Sequence, residues 1–189
     1  MTEKVYYGPT IDLDKTKVVS DEEDRKILGW VHHLEIHRRE IEDWFCILDT
    51  VDSLKRHLVK RSLAIEIDEF VLGCRRLYNE INRAVEDINE MYQSKGKDAV
   101  LHHVDRSIKK NLNDTIFDSI EKARNQIAAH RYTDDKGDFI TIGQAIHHYN
   151  QLSDANLNAA WNIAKSAFEE LKTWTEEKIN RNHLVLLKA

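Results

Sequence analysis

Ile27, Trp30, Val31, Leu34, Ile41, Trp44, Phe45, Leu48 and Val51 follow helical spacing, which places them on one stripe of an α-helix. Ser20 followed by Asp21, Glu22 and Glu23 predicts the start, because a serine caps free N–H groups and acids suit the positive end of the helix dipole. The stripe predicts a first helix to about residue 60, broken near Lys60-Arg61-Ser62. Ile65, Phe70, Leu72, Leu77, Ile81, Val85, Ile88 and Met91 mark a second long helix, ended by the turn Gln93-Ser94-Lys95-Gly96-Lys97-Asp98. A third helix is expected over 98–111. Asp114 is expected to cap a fourth, with Ile116, Phe117, Ile120, Ala123, Ile127 and Ala128 on its buried side. Residues 132–138 read as a polar loop, and Thr141 as the start of a short helix through His148. Ser153 is expected to cap a last long helix carrying Leu157, Trp161, Ala164, Phe168, Leu171 and Trp174. The single proline, Pro9, leaves nothing downstream to forbid long helices.

The pattern predicts an all-α protein, an up-and-down helical bundle. Its expected organisation is an irregular segment at 1–20, one helical domain at 21–182 and a short apolar tail at 183–189, since 189 residues suffice for one sizeable core. No apolar run approaches the ~20 residues of a membrane span. The opening residues lack the basic-then-apolar pattern of a signal peptide. Cys46 and Cys74 fall within helical patterns and are expected as buried thiols, so a cytoplasmic setting is expected. A net charge of -5 excludes a protein that grips nucleic acid with its whole surface. A nucleic-acid contact would need a local patch, for which Arg106, Lys109, Lys110, Lys122, Arg124 and Arg131 are available, diluted by Asp105, Asp114, Asp118 and Glu121.

The chemistry concentrates in Arg124-Asn125-Gln126-Ile127-Ala128-Ala129-His130-Arg131-Tyr132. Arg124 can hold a phosphate through two donors. His130 can exchange a proton near neutral pH. An arginine four to six residues ahead of a histidine occurs also at Arg25 and His32, but there lysine, not asparagine, follows the arginine. The stretch resembles the signature of the HEPN superfamily (higher eukaryotes and prokaryotes nucleotide-binding domains): an arginine, four to six residues, then a histidine, with a polar residue often following the arginine. Tyr132 is similar to the tyrosine two places after the histidine in HEPN toxins paired with nucleotidyltransferase antitoxins, where four intervening residues are usual rather than the five found here.

The resemblance implies a helical ribonuclease acting without a metal or other cofactor. Arg124 and His130 would be catalytic and Asn125 supporting. Lys122, Arg131 and Tyr132 would contact substrate or serve regulation. It also implies a two-fold homodimer, and an antitoxin or nucleotidyltransferase partner. The alternative is a HEPN-like nucleotide-sensing or partner-docking module that does not cut, and a helical structural protein is a third reading.

Other constellations are weaker. His32-His33, His102-His103 and His147-His148 are pairs, and His33 and His37 stand one helical turn apart with Glu40 nearby. They are read as histidines on helix flanks rather than ligands. The four tryptophans are read as core anchors, and Glu22-Glu23-Asp24 as a helix start. No Gly-rich phosphate loop or nucleophile elbow is found.

Overall fold

The computed structural model describes residues 22–98, 101–123, 125 and 152–179. Among them every regular element is helical: α1 (Glu22–Thr50), α2 (Ser53–Ser94), α3 (Arg106–Leu112), α4 (Thr115–Ala123) and α5 (Asp154–Trp174), the last running into a π-helical turn at Thr175–Ile179. The all-α bundle expected from the periodicity is what the described residues form. The segments 1–20 and 183–189, the 132–138 loop and the short helix from Thr141 lie outside the described residues.

Two boundaries differ from the periodic reading. The first long stripe breaks at Val51-Asp52, not at Lys60-Arg61-Ser62. Asp52 adopts an extended conformation and its carboxylate accepts from the Lys55 N–H at 2.9 Å, an N-cap that starts α2. The end of α1 is answered locally. The Thr50 hydroxyl donates to the Ile47 carbonyl at 3.0 Å, and Arg56 Nη1 donates to the Leu48 carbonyl at 2.7 Å. Lys60-Arg61-Ser62 contains no breaker, and α2 runs through it for 42 residues until Gly96, at φ 70, turns the chain.

The third helix begins at Arg106 rather than 98. Leu101 and Val104 are both buried, and their backbones are held by side chains of α2 instead of by helical pairing of their own. Asn89 donates to the Leu101 carbonyl at 2.9 Å and accepts from the Leu101 N–H at 3.1 Å, while Asn82 accepts from the Val104 N–H at 2.9 Å. These side chains satisfy peptide groups that a helix would otherwise pair. The Asp114 and Ser153 caps form as expected: Asp114 accepts from the Ile116 N–H at 2.9 Å and Ser153 from the Asn156 N–H at 3.1 Å.

The register of side-chain pairs gives the packing. Arg56 meets Leu48, His37 meets Glu66, and Arg76 lies over the Trp30 ring, so α1 and α2 are antiparallel. Their approach is tight at Gly73, where an added Cβ would fall 2.7 Å from Leu34 Cδ2. Asp154 meets Arg56 and Lys60, and Trp161 and Phe168 meet Phe70, so α5 runs parallel to α2. α1 and α5 are tied by charge: Lys165 reaches Glu42 at 2.6 Å and Lys172 reaches Glu35 at 3.3 Å. Arg38 pairs with Glu35 and Glu42 within α1. The resulting hydrogen bonds hold both carboxyls below the usual carboxylate range, Glu35 through Arg38 first and Glu42 through Lys165 first.

Phe70 is fully buried, with T-shaped contacts to Trp161, Phe168 and His37 at centroid distances of 5.1, 5.5 and 5.7 Å. Trp161 is buried, while Trp30, Trp44 and Trp174 pack partly buried against the same core. Cys74 is buried, whereas Cys46, expected inside, is exposed. Ile65 and Met91 also fall on the outer face of α2. Phe70→Ala is expected to destabilise the protein by about 3–5 kcal/mol in urea unfolding, against less than about 1 kcal/mol for the exposed Ile36→Ala. Equal losses at the two sites would show that Phe70 is not the centre of the core.

Candidate functional site

α4 delivers the chain to the Arg124–His130 stretch. Thr115 to Ala123 form an amphipathic helix with Phe117 and Ile120 buried and Ile116 half-buried, packed on α2 and α5. Asp118, Glu121 and Lys122 are exposed on its outer side, and Lys122 occupies its last turn. Asn125 is also exposed, two residues beyond the end of α4. Arg124, His130, Arg131 and Tyr132 lie outside the described residues. Of the sequence-derived site, the structure therefore places Lys122 and Asn125 together at the C-terminal end of α4.

The other cations of the expected patch sit further back. Arg106, Lys109 and Lys110 are exposed on α3, with Lys109 Nζ 5.9 Å from the Tyr78 ring centroid. Lys109 and Lys110 occupy the last turn of α3, where positive charge suits the helix dipole. Asp105 and Asp114, which dilute the patch in sequence, are occupied as the caps of α3 and α4.

An open cleft of about 290 Å³ lies between α4 and the start of α5, lined by Thr115, Ile116, Ser119, Ile120 and Asn156. It carries hydroxyl and amide groups but no charge. Its value here is positional: it fixes the middle of α4 beside Asn156, two residues after Asp154.

Asp154 gathers the same end of the bundle. Arg56 Nη2 meets one carboxylate oxygen at 2.6 Å and Lys60 Nζ the other at 2.7 Å. Arg56 also holds the last turn of α1 through the Leu48 carbonyl. Lys60 and then Arg56 hold the Asp154 carboxyl below the usual aspartate range. One carboxylate against two cations leaves a positive balance. No spacing in the sequence announces this cluster, because Arg56 and Asp154 are 98 residues apart in the chain. The only local signal was the density of basic residues in Lys55-Arg56-His57-Leu58-Val59-Lys60-Arg61.

His37 and His103 take carboxylate partners. His37 is buried, with Nε2 2.7 Å from a Glu66 oxygen, and its ring stands 6.1 Å from that of the exposed His33. Exposed His103 stands 3.2 Å from Glu86. Among the described residues no group of three or more His, Cys, Asp or Glu side chains is placed to hold a metal ion. Burial pushes the Cys74 thiol far above its usual range, away from the reactive thiolate. Among the described helices none is long and apolar enough to cross a membrane.

Comparison with protein-family models, with curated proteins and with solved structures finds no match.

Asp154 yields a pH prediction. Its folded pKa lies below its unfolded value, so its pairing stabilises the protein above the unfolded value, near 3.9, and is lost as pH falls through the folded one. Asp154→Asn is expected to lower the unfolding midpoint at neutral pH by a small amount, because the pair is partly solvated. The gap between wild type and variant should narrow as pH falls below about 4. A gap that stays constant or widens in acid would show that the Asp154 charge does not hold this end together.

Proposed function

We propose that the protein is a metal-independent endoribonuclease of HEPN type, acting as a toxin or phage-defence effector through a composite Arg–His site at a dimer interface. The observation that carries the reading is the Arg124-Asn125 pair followed by His130, a set that starts directly after α4. An all-helical bundle is the setting in which the resembling family carries this motif. Exposed Lys122 and Asn125 give the approach a cation and an amide open to solvent.

RNA brings its own nucleophile. The 2′-hydroxyl attacks the adjacent phosphorus, the bond to the 5′-oxygen breaks, and the products are a 2′,3′-cyclic phosphate and a 5′-hydroxyl. This path needs no metal-activated water. His130 takes the proton from the 2′-hydroxyl or returns one to the departing oxygen. Arg124 stabilises the charge that accumulates on the phosphorane-like transition state. Asn125 orients the phosphate or the imidazole. Arg131 and Lys122 serve the flanking phosphates, and Tyr132 is the candidate for regulation by nucleotide modification.

Helical geometry argues for two chains. At 100° per residue, positions 124 and 130 stand about 240° apart round a continuous helix, so one straight helix does not present both to one phosphate. A two-fold contact joins Arg124 of one chain to His130 of the other and repeats the arrangement symmetrically. Cleavage with so little base discrimination requires restraint in the cell, which is the reason to expect an antitoxin or a nucleotidyltransferase acting on the toxin.

Pure protein is expected to cut single-stranded RNA in excess chelator, leaving cyclic phosphate ends. His130→Ala and Arg124→Ala should each lower the rate by about 10²–10⁴ with helical content unchanged, and should relieve the growth arrest caused by expressing the wild type alone. Cleavage that depends on added divalent metal would overturn the mechanism. Intact cellular RNA and equal growth of wild type and His130→Ala would favour the sensing or docking module.

The composite site has its own test. Light scattering should give twice the chain mass at assay concentration, and mixing inactive Arg124→Ala with inactive His130→Ala should restore part of the activity in heterodimers. A fully active monomer, or no recovery from a mixture shown to exchange subunits, would remove the shared-site argument.

A further inference from the structure

Five large apolar side chains stand exposed among the described residues, and four of them, Ile36, Ile47, Leu58 and Ile65, gather on one face, with Met91 elsewhere. Helical steps and the contacts between helices define that face. On α1, Glu35, Glu42 and Phe45 turn to α5, while Trp30 and His37 turn to α2. Ile36, Glu40, Asp43 and Ile47, at steps of four, three and four, form the exposed row that turns away from both. On α2, Phe70 meets α5, and Leu58, Ile65 and half-buried Leu72, at steps of seven, lie roughly 120–160° round the helix from it. The two rows therefore look out on the side of the α1–α2 hairpin opposite α5. The Arg56–Leu48 and His37–Glu66 contacts set the register, which brings Ile47 level with Leu58 and Glu40 level with Ile65. Half-buried Trp44, seven residues after His37 on the column that meets α2, lies between the rows.

The charge left over on this face is acidic. Glu40 and Asp43 stand exposed between Ile36 and Ile47, and neither has an ion-pair partner among the described residues. The basic groups at its edges are engaged. Arg39 lies 3.7 Å from Glu35, Lys55 3.5 Å from Asp52, and Arg76 over the Trp30 ring at 5.7 Å, with His33 edge-on to the same ring. Arg61 and Glu69 have interactions of their own, and Glu66 has His37. Clustered exposed apolar side chains mark interaction sites. Ile36 and Ile47 are about 16 Å apart along α1, the length of three helical turns.

We propose that this outer face of the α1–α2 hairpin is a docking groove for a basic amphipathic helix of a partner protein. Apolar side chains of that helix, one turn apart, enter between Ile47, Leu58 and Ile65, and its Lys or Arg side chains meet Glu40 and Asp43. A groove between two packed helices that offers apolar walls is the setting in which an amphipathic helix lays down its apolar stripe. Charge selects the occupant. A second copy laid with α1 on α1 would set Glu40 and Asp43 against the same acids of its partner, whereas a basic helix is attracted by both. The groove gives the antitoxin expected above a place to bind, and only that identification rests on the toxin reading.

The test is fluorescence anisotropy of the full chain with a labelled synthetic helix of about five turns, leucines on one face and lysines flanking them. A second probe carries glutamate in place of lysine, and a third scrambles the order of the first. The wild type is expected to bind the lysine helix at least about 10-fold more tightly than either of the others at low salt. Ile47→Ser/Leu58→Ser alters only exposed side chains and should weaken binding at least about 10-fold with helical content unchanged, while Met91→Ser binds as its parent does. Glu40→Lys/Asp43→Lys should reverse the preference, towards the glutamate helix. Equal binding by the double serine variant and Met91→Ser, or no reversal by the lysine variant, overturns the groove. A wild type that is dimeric in light scattering and monomeric as Ile47→Ser/Leu58→Ser assigns the face to a second copy. Displacement of the probe by a synthetic peptide of residues 1–20 or 180–189 assigns it to the chain's own ends. Either result overturns the partner helix. Groove-dependent binding by a protein that does not cut RNA would keep the groove and reject the ribonuclease reading, and cleavage without probe binding would do the reverse.

Discussion

A helix of 42 residues cannot hide its own apolar residues, so α2 must be covered from end to end, and the way it is covered sets the place of every other element. α1 covers one flank, close enough at Gly73 that a methyl group would collide with Leu34. α5 covers a second and meets it at Phe70, whose ring stands against Trp161 and Phe168. The segment 101–112 covers the third. Aromatic edges interlocked at one buried point resist sliding, because moving one ring by a helical turn opens a void in a close-packed core. Register is thus fixed in the middle of the bundle and carried outward to its ends.

The third flank is covered by different means. Between Leu101 and Asp105 the chain is not helical, and it cannot bring unpaired peptide groups against α2 without cost. Asn82 and Asn89 meet that requirement, with Asn89 binding both the N–H and the carbonyl of Leu101. Leu101 and Val104 are then free to enter the core. Two amide side chains therefore place α3, and through Asp114 they place α4, so the approach to the Arg124–His130 stretch depends on hydrogen bonds far from it in sequence.

How much of this was legible follows from the range of each interaction. The stripes of α1, α2, α4 and α5 depend on neighbours three and four residues apart, and their buried residues, Phe117 and Ile120 or Trp161 and Phe168, stand in the sequence with the correct period. Asp114 and Ser153 act on residues two or three places ahead and were readable for the same reason. The break at Asp52 is also local, but an unbroken apolar stripe through Val51 masked it. The extended stretch after residue 98 was not readable, since its partners lie 12 and 22 residues back along the chain. Nor was the Arg56–Asp154–Lys60 cluster. For the candidate site, position 125 and Lys122 were legible as the polar exit of an amphipathic helix, whereas the packing of that helix on α2 and α5 exists only after folding.

Charge completes the argument. Along the α1–α5 seam Glu35 and Glu42 are answered by Arg38, Lys165 and Lys172. Such partly exposed pairs add little net stability and exert little field at a distance. At the start of α2 pairing of the same kind closes the end of the bundle, with Asp154 between Arg56 and Lys60 and Asp52 3.5 Å from Lys55. Arg56 joins the two regions, since it also donates to the Leu48 carbonyl, so one side chain holds the last turn of α1, the start of α2 and the start of α5 together.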